Sequence, residues 1–164
     1  MSRKRAVELD ELDRKILARH QRDTRLGAEA IGAEVGLSTA AVHRRLKRMR
    51  DGGVIEAEVA VVNPESVGLP LTCVVNVEVD REGREDLDRF SARIRACAPV
   101  QQCFYVTGQS DFILVVSVSD MAAYEAFTRD HLLSDPNIRS FTTHVVLARV
   151  KTGLALPIGG ERGT

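Results

Sequence analysis

The stretch GLSTAAVHRRLKRMRDGG, residues 36–53, carries the features that decide the fold of the first part of the chain. Ser38 is a good N-cap, because its hydroxyl can accept hydrogen bonds from the free N–H groups of a first helical turn. Val42, Leu46 and Met49 follow at helical spacing and form one apolar stripe. The stretch therefore predicts an amphipathic helix that ends at the glycine pair and packs through one face.

The other face of this helix is basic. Five Arg or Lys residues fall within residues 44–50, and no Asp or Glu occurs between residues 38 and 50. A helix surface that merely faces water is the plain alternative, but such a surface usually interleaves acids with bases at i,i+4. The missing counter-charge favours contact with a polyanion. The residues opposite the apolar stripe are Ala40, His43, Arg44 and Lys47.

Two shorter helices are expected before it. Apolar residues after Asp10 predict a helix from about Asp10 to His20, and Ile31 with Val35 predicts a second helix at about Ala28–Val35. Gly36 suits a left-handed helix end. A helix, a turn and a capped second helix match the helix-turn-helix pattern, in which the second helix enters the DNA major groove. A generic three-helix domain fits the periodicity equally well, and the basic face favours DNA.

Composition bounds the class of protein. The 164 residues have a net charge of zero, but residues 1–60 contain 13 Arg or Lys against 10 Asp or Glu. The remaining residues reverse this balance, so the N-terminal part is basic and the C-terminal part is acidic, which suggests two separate functions. Three dispersed cysteines, no secretory segment and no apolar run near 18 residues predict a reduced cytoplasmic protein. Cys73 and Cys97 are expected in the core, and no metal site or cofactor is expected.

After residue 53 the pattern becomes extended and then alternates. Val54–Val62 is predicted as a connector strand, and the segments after it follow the order βαββαβ, the split-βαβ ferredoxin-like arrangement. The fold class is therefore α+β. The expected domains are 1–53 (helix-turn-helix), 54–68 (connector strand and linker), 69–152 (ferredoxin-like) and 153–164 (tail). The expected elements are Leu71–Val79, Arg84–Ala98, Val100–Thr107, Phe112–Val118, Met121–Leu133 and Ile138–Val150.

One face of the predicted sheet has no helix to cover it. Leu71–Val79 keeps apolar residues in both alternating sets, and Phe112–Val118 is mostly apolar on both sides. Because an antiparallel sheet with its helices on one face leaves the other open, an apolar open face needs a partner. We expect the chain to dimerise through this face.

The junction VTGQSDF, residues 106–112, has two interpretations. Gly108 permits a tight turn and Asp111 places a carboxylate at the start of the next strand, which a plain hairpin also explains. The functional alternative is a small-molecule site in which backbone N–H groups and the carboxylate hold an amino acid.

Taken together, these motifs resemble those of the leucine-responsive/asparagine-regulator (Lrp/AsnC) family. The resemblance covers almost the whole chain, from LDELDRKILARHQRDTR through GLSTAAVHRRLKRMRDGGVI to VTGQSDFILVV and VVLARVK. It implies an N-terminal helix-turn-helix and a C-terminal ferredoxin-like module that dimerises and assembles into tetramers or octamers. It also implies amino-acid effectors bound between dimers.

The resemblance also implies site residues. Double-stranded DNA would be contacted by the recognition helix, with Arg48, Arg50 and the basic arm at residues 1–7 holding phosphates; the arm could equally be disordered. Arg45 is ambiguous, since it lies near the packing face. Phe141 stands where similar proteins tend to have a hydroxyl, which favours an apolar or aromatic effector. The candidate DNA contacts are Ser38, Thr39, Ala40, His43, Arg44, Lys47 and Arg48, and the candidate effector residues are Val106, Gly108, Asp111, Phe141 and Thr143.

The sequence thus predicts a non-enzymatic transcription regulator whose assembly or DNA affinity changes with a small amino acid. The main alternative is an enzyme resembling the sirohaem decarboxylases, which have the same two halves but need no basic recognition face. A ligand-sensing protein that never touches DNA is disfavoured by the same face.

Overall fold

The computed structural model describes residues 7–80 and 83–158, and these divide into two compact units. The first unit contains the residues up to Ala60 together with those from Lys151 onward, and the second contains Val61–Val150. Each unit has its own cluster of buried apolar side chains. Of the predicted basic arm, only Val7 lies within the described residues.

The first unit is built on three helices, α1 (Glu11–His20), α2 (Ala28–Val35) and α3 (Thr39–Asp51). Asp10 caps α1 in a reciprocal capping box with Asp13, and the Ser38 hydroxyl accepts from the Ala41 N–H at the start of α3. The predicted helices and the Ser38 cap are therefore confirmed. The buried apolar residues are Ile16, Leu17, Ala28, Ile31, Val42, Leu46 and Met49.

The turn between α2 and α3 depends on two glycines. Gly36 has φ of 73°, the left-handed conformation expected for it. The Leu37 N–H donates to the Gly32 carbonyl at 2.9 Å, and a Cβ on Gly32 would lie 2.4 Å from the Leu37 carbonyl oxygen. Gly32 is therefore required by the close approach of the turn, a role that the sequence pattern did not indicate.

The second unit has the ferredoxin-like arrangement. Its four strands are antiparallel to their neighbours in the order β2-β3-β1-β4, as the βαββαβ connection requires. The predicted α+β class is confirmed. The elements are β1 (Leu71–Val79), α4 (Arg84–Arg95), β2 (Val100–Tyr105), β3 (Phe112–Val118), α5 (Met121–Thr128), a π-helical turn (Arg129–Leu133) and β4 (Ile138–Val145).

The sheet buries one face against α4 and α5. Alternate residues of β1 and β3 join Phe90, Ile94 and Phe127 in the core. Cys73 and Cys97 are buried there, as expected, and the lack of solvation raises the pKa of both thiols. On the opposite face Ser117 is buried but the other side chains of β1 and β3 are only partly buried, and Phe104 of β2 is 51% exposed.

The predicted connector strand at Val54–Val62 is wrong for the described chain. These residues form no strand, and Val59 and Val61 are 68% and 83% exposed. Strand propensity alone does not make a strand, because the backbone needs a neighbouring strand to pair with. None of the described residues pairs with this segment.

Three predicted elements are shorter than expected. Helix α4 ends at Arg95 rather than Ala98, ahead of Pro99, which disfavours helix in the residue before it. Strand β4 ends at Val145 rather than Val150: Val145 pairs with Cys73, the Val146 N–H still donates to the Thr72 carbonyl at 2.9 Å, and β1 begins one residue before Thr72, so the residues beyond have almost no strand left to pair with. Strand β2 ends at Tyr105, and the helical segment after β3 changes from α to π geometry at Arg129.

Candidate functional site

Helix α3 presents one exposed face next to the buried stripe. Val42, Leu46 and Met49 are buried as predicted. All seven candidate DNA contacts are on exposed residues of α3 or its cap. The structure therefore brings Ser38, Thr39, Ala40, His43, Arg44, Lys47 and Arg48 together on one surface.

Counter-charges do reach this helix, contrary to the sequence argument. Arg45 donates to Asp10 at 2.7 Å and to Asp13 at 2.8 Å, and Arg48 also donates to Asp13. Hydrogen bonds to Asp10 and then Asp13 raise the pKa of the Arg45 guanidinium. The acids are on α1, more than thirty residues away in sequence, so a search within α3 could not find them.

The remaining charges of α3 differ in how firmly they are held. Lys47 pairs with Asp51 at 2.5 Å, but both side chains are well exposed, so the pair is weak and exchangeable. Arg50 makes two bonds to Glu58, at 2.8 and 3.0 Å. The guanidinium groups of Arg48 and Arg50, expected to hold phosphates, both bind carboxylates of the same unit, and their phosphate contact stays a prediction.

Arg44 and His43 stand apart from these pairs. Within residues 7–80 and 83–158, neither side chain has a hydrogen bond or an ion-pair partner in its own chain. Arg44 also lines an open recess of about 260 Å³ with Asp10, Arg45 and Arg48. Three guanidinium groups around one shallow recess can receive an anionic oxygen, since arginine matches the geometry of phosphate.

A buried histidine joins the connector to the first unit. His20, at the end of α1, contacts the Glu58 carboxylate that also binds Arg50. The Arg50 bond first, and then the His20 bond, lower the pKa of Glu58 to about 2. His20 Nδ1 is buried without a hydrogen-bond partner among the described residues.

The candidate effector loop is a tight hairpin between β2 and β3. The Val106 N–H donates to the Asp111 carbonyl at 2.9 Å, and Gly108 has φ of 131°. The Asp111 carboxylate accepts from the Val79 N–H at 2.7 Å, which ties the hairpin to the end of β1. Asp111 thus has a structural bond that the sequence did not reveal.

Phe141 and Thr143 lie on the other side of β1, in β4. They are paired with Val77 and Val75, on the face that the helices cover. Phe141 packs against the core, and the Thr143 hydroxyl forms a 2.5 Å hydrogen bond with the buried Tyr124 hydroxyl. The five candidate effector residues are therefore divided between two places on either side of β1. Val106, Gly108 and Asp111 lie in the β2–β3 hairpin, whereas Phe141 and Thr143 lie in β4.

Sequence reasoning missed the residues that hold these surfaces in place. Asp13 and Glu58 bind the arginines of α3, Tyr124 binds Thr143, and Arg139 pairs with Glu78 at 2.5 Å. Only Asp13 left a local signal, the D-x-x-D spacing of a capping box. The described part of the chain contains no group of three His, Cys, Asp or Glu residues that could hold a metal ion, and no described helix is long and apolar enough to cross a membrane.

Two family models match the chain, one over each unit. The AsnC-type helix-turn-helix domain matches residues 9–50, and the Lrp/AsnC ligand binding domain matches residues 72–156. The chain is 46% identical over 153 residues to an uncharacterized HTH-type transcriptional regulator of Sinorhizobium fredii, covering 93% of this chain and 90% of that one. It is 32% identical to the DNA-binding transcriptional activator DecR of Escherichia coli K12, covering 92% and 99%.

Solved structures agree with these matches. A transcriptional regulator from Neisseria meningitidis in complex with L-Met superposes with a TM-score of 0.84 at 33% identity, covering 92% of this chain and 97% of the other. An AsnC family transcriptional regulator from Agrobacterium tumefaciens also gives 0.84 at 33% identity, covering 91% and 97%. With both units matched in order and over nearly their full length, the chain belongs to the Lrp/AsnC family of DNA-binding transcription regulators.

Proposed function

We propose that this chain regulates transcription by binding specific duplex DNA sequences through α3, and that a small amino acid changes its assembly or its DNA affinity. The observation that carries the DNA part is the exposed face of α3. Its opposite side is anchored by Val42, Leu46 and Met49, so the helix can enter a groove without losing its own packing.

The residues of this face divide into two roles. His43, Arg44 and Lys47 are exposed and free or weakly paired within the described chain, and they are the candidates for base edges and nearby phosphates. Arg45 and Arg48 hold α3 on α1 through Asp13, so their contribution is to orient the helix. The residual exposure of Arg48, 47% of its side chain, still leaves it able to reach a phosphate.

Arg44→Ala tests the DNA-binding assignment. A direct base contact is worth about 1–3 kcal/mol, so affinity for a site selected from genomic fragments falls by about tenfold or more, measured by fluorescence anisotropy. Arg89→Ala, which removes an exposed arginine of the second unit, is the charge-matched control. Unchanged operator affinity in Arg44→Ala, with the control also unchanged, rejects Arg44 as a base contact.

The effector part of the proposal rests on the β2–β3 hairpin and β4. Asp111 supplies a carboxylate for an amino group, and the Phe141 ring favours an apolar side chain over an amide. The Neisseria relative binds L-Met, which makes L-Met the first probe. Operator affinity and sedimentation are measured with each of the twenty amino acids; no response to any of them rejects an amino-acid effector.

A separate test concerns the alternative of an enzyme resembling the sirohaem decarboxylases. Adding the protein to sirohaem should leave the absorbance spectrum of sirohaem unchanged.

We further propose that two copies dimerise through the open face of the sheet, with tetramers or octamers built from such dimers. Val74, Ile113 and Val115 are half-buried there without a covering helix. Val115→Glu should dissociate the dimer in sedimentation velocity, because it places a charge in an apolar contact. Thr142→Glu, on the same face but already on an exposed residue of β4, should have a smaller effect.

A further inference from the structure

Residues 154–158 bind the helical unit rather than the sheet that precedes them. Gln21 Nε2 donates to the Leu156 carbonyl at 2.8 Å, and Gln21 Oε1 accepts from the Leu156 N–H at 2.9 Å. The two bonds determine which way the side-chain amide faces, since the donor and the acceptor are used at the same time. The Gln21 amide therefore pairs with residue 156 as a neighbouring strand would.

An apolar contact follows two residues later. Ile158 packs against the core cluster of the helical unit, and its N–H donates to the Leu156 carbonyl at 2.9 Å, closing a tight turn around Pro157. Leu154 and Leu156 are 72% and 68% exposed. The contact is therefore made by the backbone of Leu156 and the side chain of Ile158, and proline stiffens the link between them.

The position of this segment gives the helical unit two connections to the sheet unit. The chain leaves the helical unit after Ala60, passes through the second unit, and returns at Lys151, six residues after the end of β4 at Val145. The second connection exists only while residues 154–158 stay bound. If residues 154–158 were released, the helical unit would be joined to the sheet unit only by the connection after Ala60.

We propose that residues 154–158 form a strap and that the helical unit has a specific binding site for it. In this site Gln21 binds the backbone of Leu156, and the surface beside the helical core binds the aliphatic side chain of Ile158, which follows a proline. The occupant is the tail of the same chain. The consequence for DNA rests on the proposed function: a second tether limits the orientations of the helical unit and reduces the entropy lost when it is positioned on an operator.

Hydrogen–deuterium exchange of the full-length protein tests the strap. In the wild type, the amides of residues 156 and 158 are protected. Gln21→Ala and Ile158→Ser should each increase their exchange by about tenfold or more, because either change removes one of two cooperating contacts. Leu154→Ser is the matched control and should leave protection unchanged, since Leu154 faces solvent. Protection that is absent in the wild type, or unaffected in both variants, overturns the proposal.

A mixture of the two variants distinguishes the tail of the same chain from that of a second copy. If tails are exchanged between copies, refolding Gln21→Ala together with Ile158→Ser pairs an intact tail with an intact Gln21 and restores protection in part of the molecules. That result overturns the same-chain assignment. Binding within one chain predicts no restoration at any mixing ratio.

Operator binding gives a separate result. Both strap variants should bind a selected operator at least about threefold more weakly than the wild type and the Leu154→Ser control. Equal affinities with lost protection overturn the role of the strap in DNA binding. A wild type that binds no DNA contradicts the proposed function, whereas the exchange experiment still decides whether the strap exists.

Discussion

Arg45 Nη1 lies 2.8 Å from Oδ1 of Asp13, whose side chain is completely buried. The same carboxylate accepts a bond from Arg48, and its backbone N–H is bound by Asp10 at the start of α1. One acid thus fixes the start of α1 and the middle of α3. The helix that presents the DNA-binding face is held on its neighbour by charge as well as by apolar packing.

Replacing Asp13 should destabilise the helical unit strongly. Asp13→Ala removes the buried carboxylate that binds the partly buried Arg45, and breaking a buried pair in this way typically costs about 3–5 kcal/mol. Urea unfolding followed by circular dichroism at 222 nm measures the free energy of unfolding. The control is Glu11→Ala, which removes only an exposed pair with Lys15. A loss for Asp13→Ala no larger than that of the control contradicts the structural role.

Gly32 should not tolerate a side chain. Alanine is the better helix former by about 1 kcal/mol, so Gly32→Ala would stabilise α2 if the site were open. A Cβ there would lie 2.4 Å from the Leu37 carbonyl oxygen, so the turn must shift. We expect a net loss of about 1–3 kcal/mol.

The thermal midpoint of the helical unit checks this expectation. Gly27→Ala is the control, because a Cβ at Gly27 meets nothing within 4 Å. An equal or higher midpoint for Gly32→Ala would show that the close approach is absent in solution.

Glu58 should make stability dependent on acid pH. Its pKa is lowered from the ordinary 4.5 to about 2 by the bonds from Arg50 and His20. A carboxyl whose pKa is lower in the folded state stabilises fully above pH 4.5, and this contribution disappears as the pH falls toward 2. The slope of unfolding free energy against pH should therefore be positive across this window.

Glu58→Gln should reduce that slope, measured by urea unfolding at a series of pH values. Glu56→Gln, two residues earlier and exposed, is the matched control. If Glu58→Gln leaves the slope as steep as the control does, the paired carboxylate is not the source of the pH dependence.

Two substitutions at Asp111 separate structure from effector binding. Asp111→Ala leaves the Val79 N–H without its acceptor and should cost about 1–2 kcal/mol of stability. Asp111→Asn keeps an acceptor oxygen but removes the charge. We expect Asp111→Asn to fold with near-normal stability and to lose the response to an amino acid in the operator-binding assay. A normal response in Asp111→Asn shows that the hairpin is structural only.

Local sequence predicted most of the fold. Ser38 caps a helix, Gly36 ends one, and apolar residues at periods of 3.6 and 2 mark which faces are buried. These signals act within a few residues, so they can be recognised without knowing the rest of the chain. The spacing of the elements then leaves few topologies, and βαββαβ gives the observed strand order.

Only the tertiary structure decided which charges and hydroxyls are available. In the sequence, Arg45, Arg48 and Arg50 cannot be told apart from Arg44. In the structure these three bind the carboxylates of residues 10, 13 and 58, whereas Arg44 has no such partner among the described residues. Thr143 is bound to Tyr124, nineteen residues earlier. Residues 54–62 have strand propensity without a partner, and residue 156 finds its partner 135 residues away. Such pairings depend on how distant elements meet, because hydrogen bonds and ion pairs act only over a few ångströms, and no local pattern specifies them.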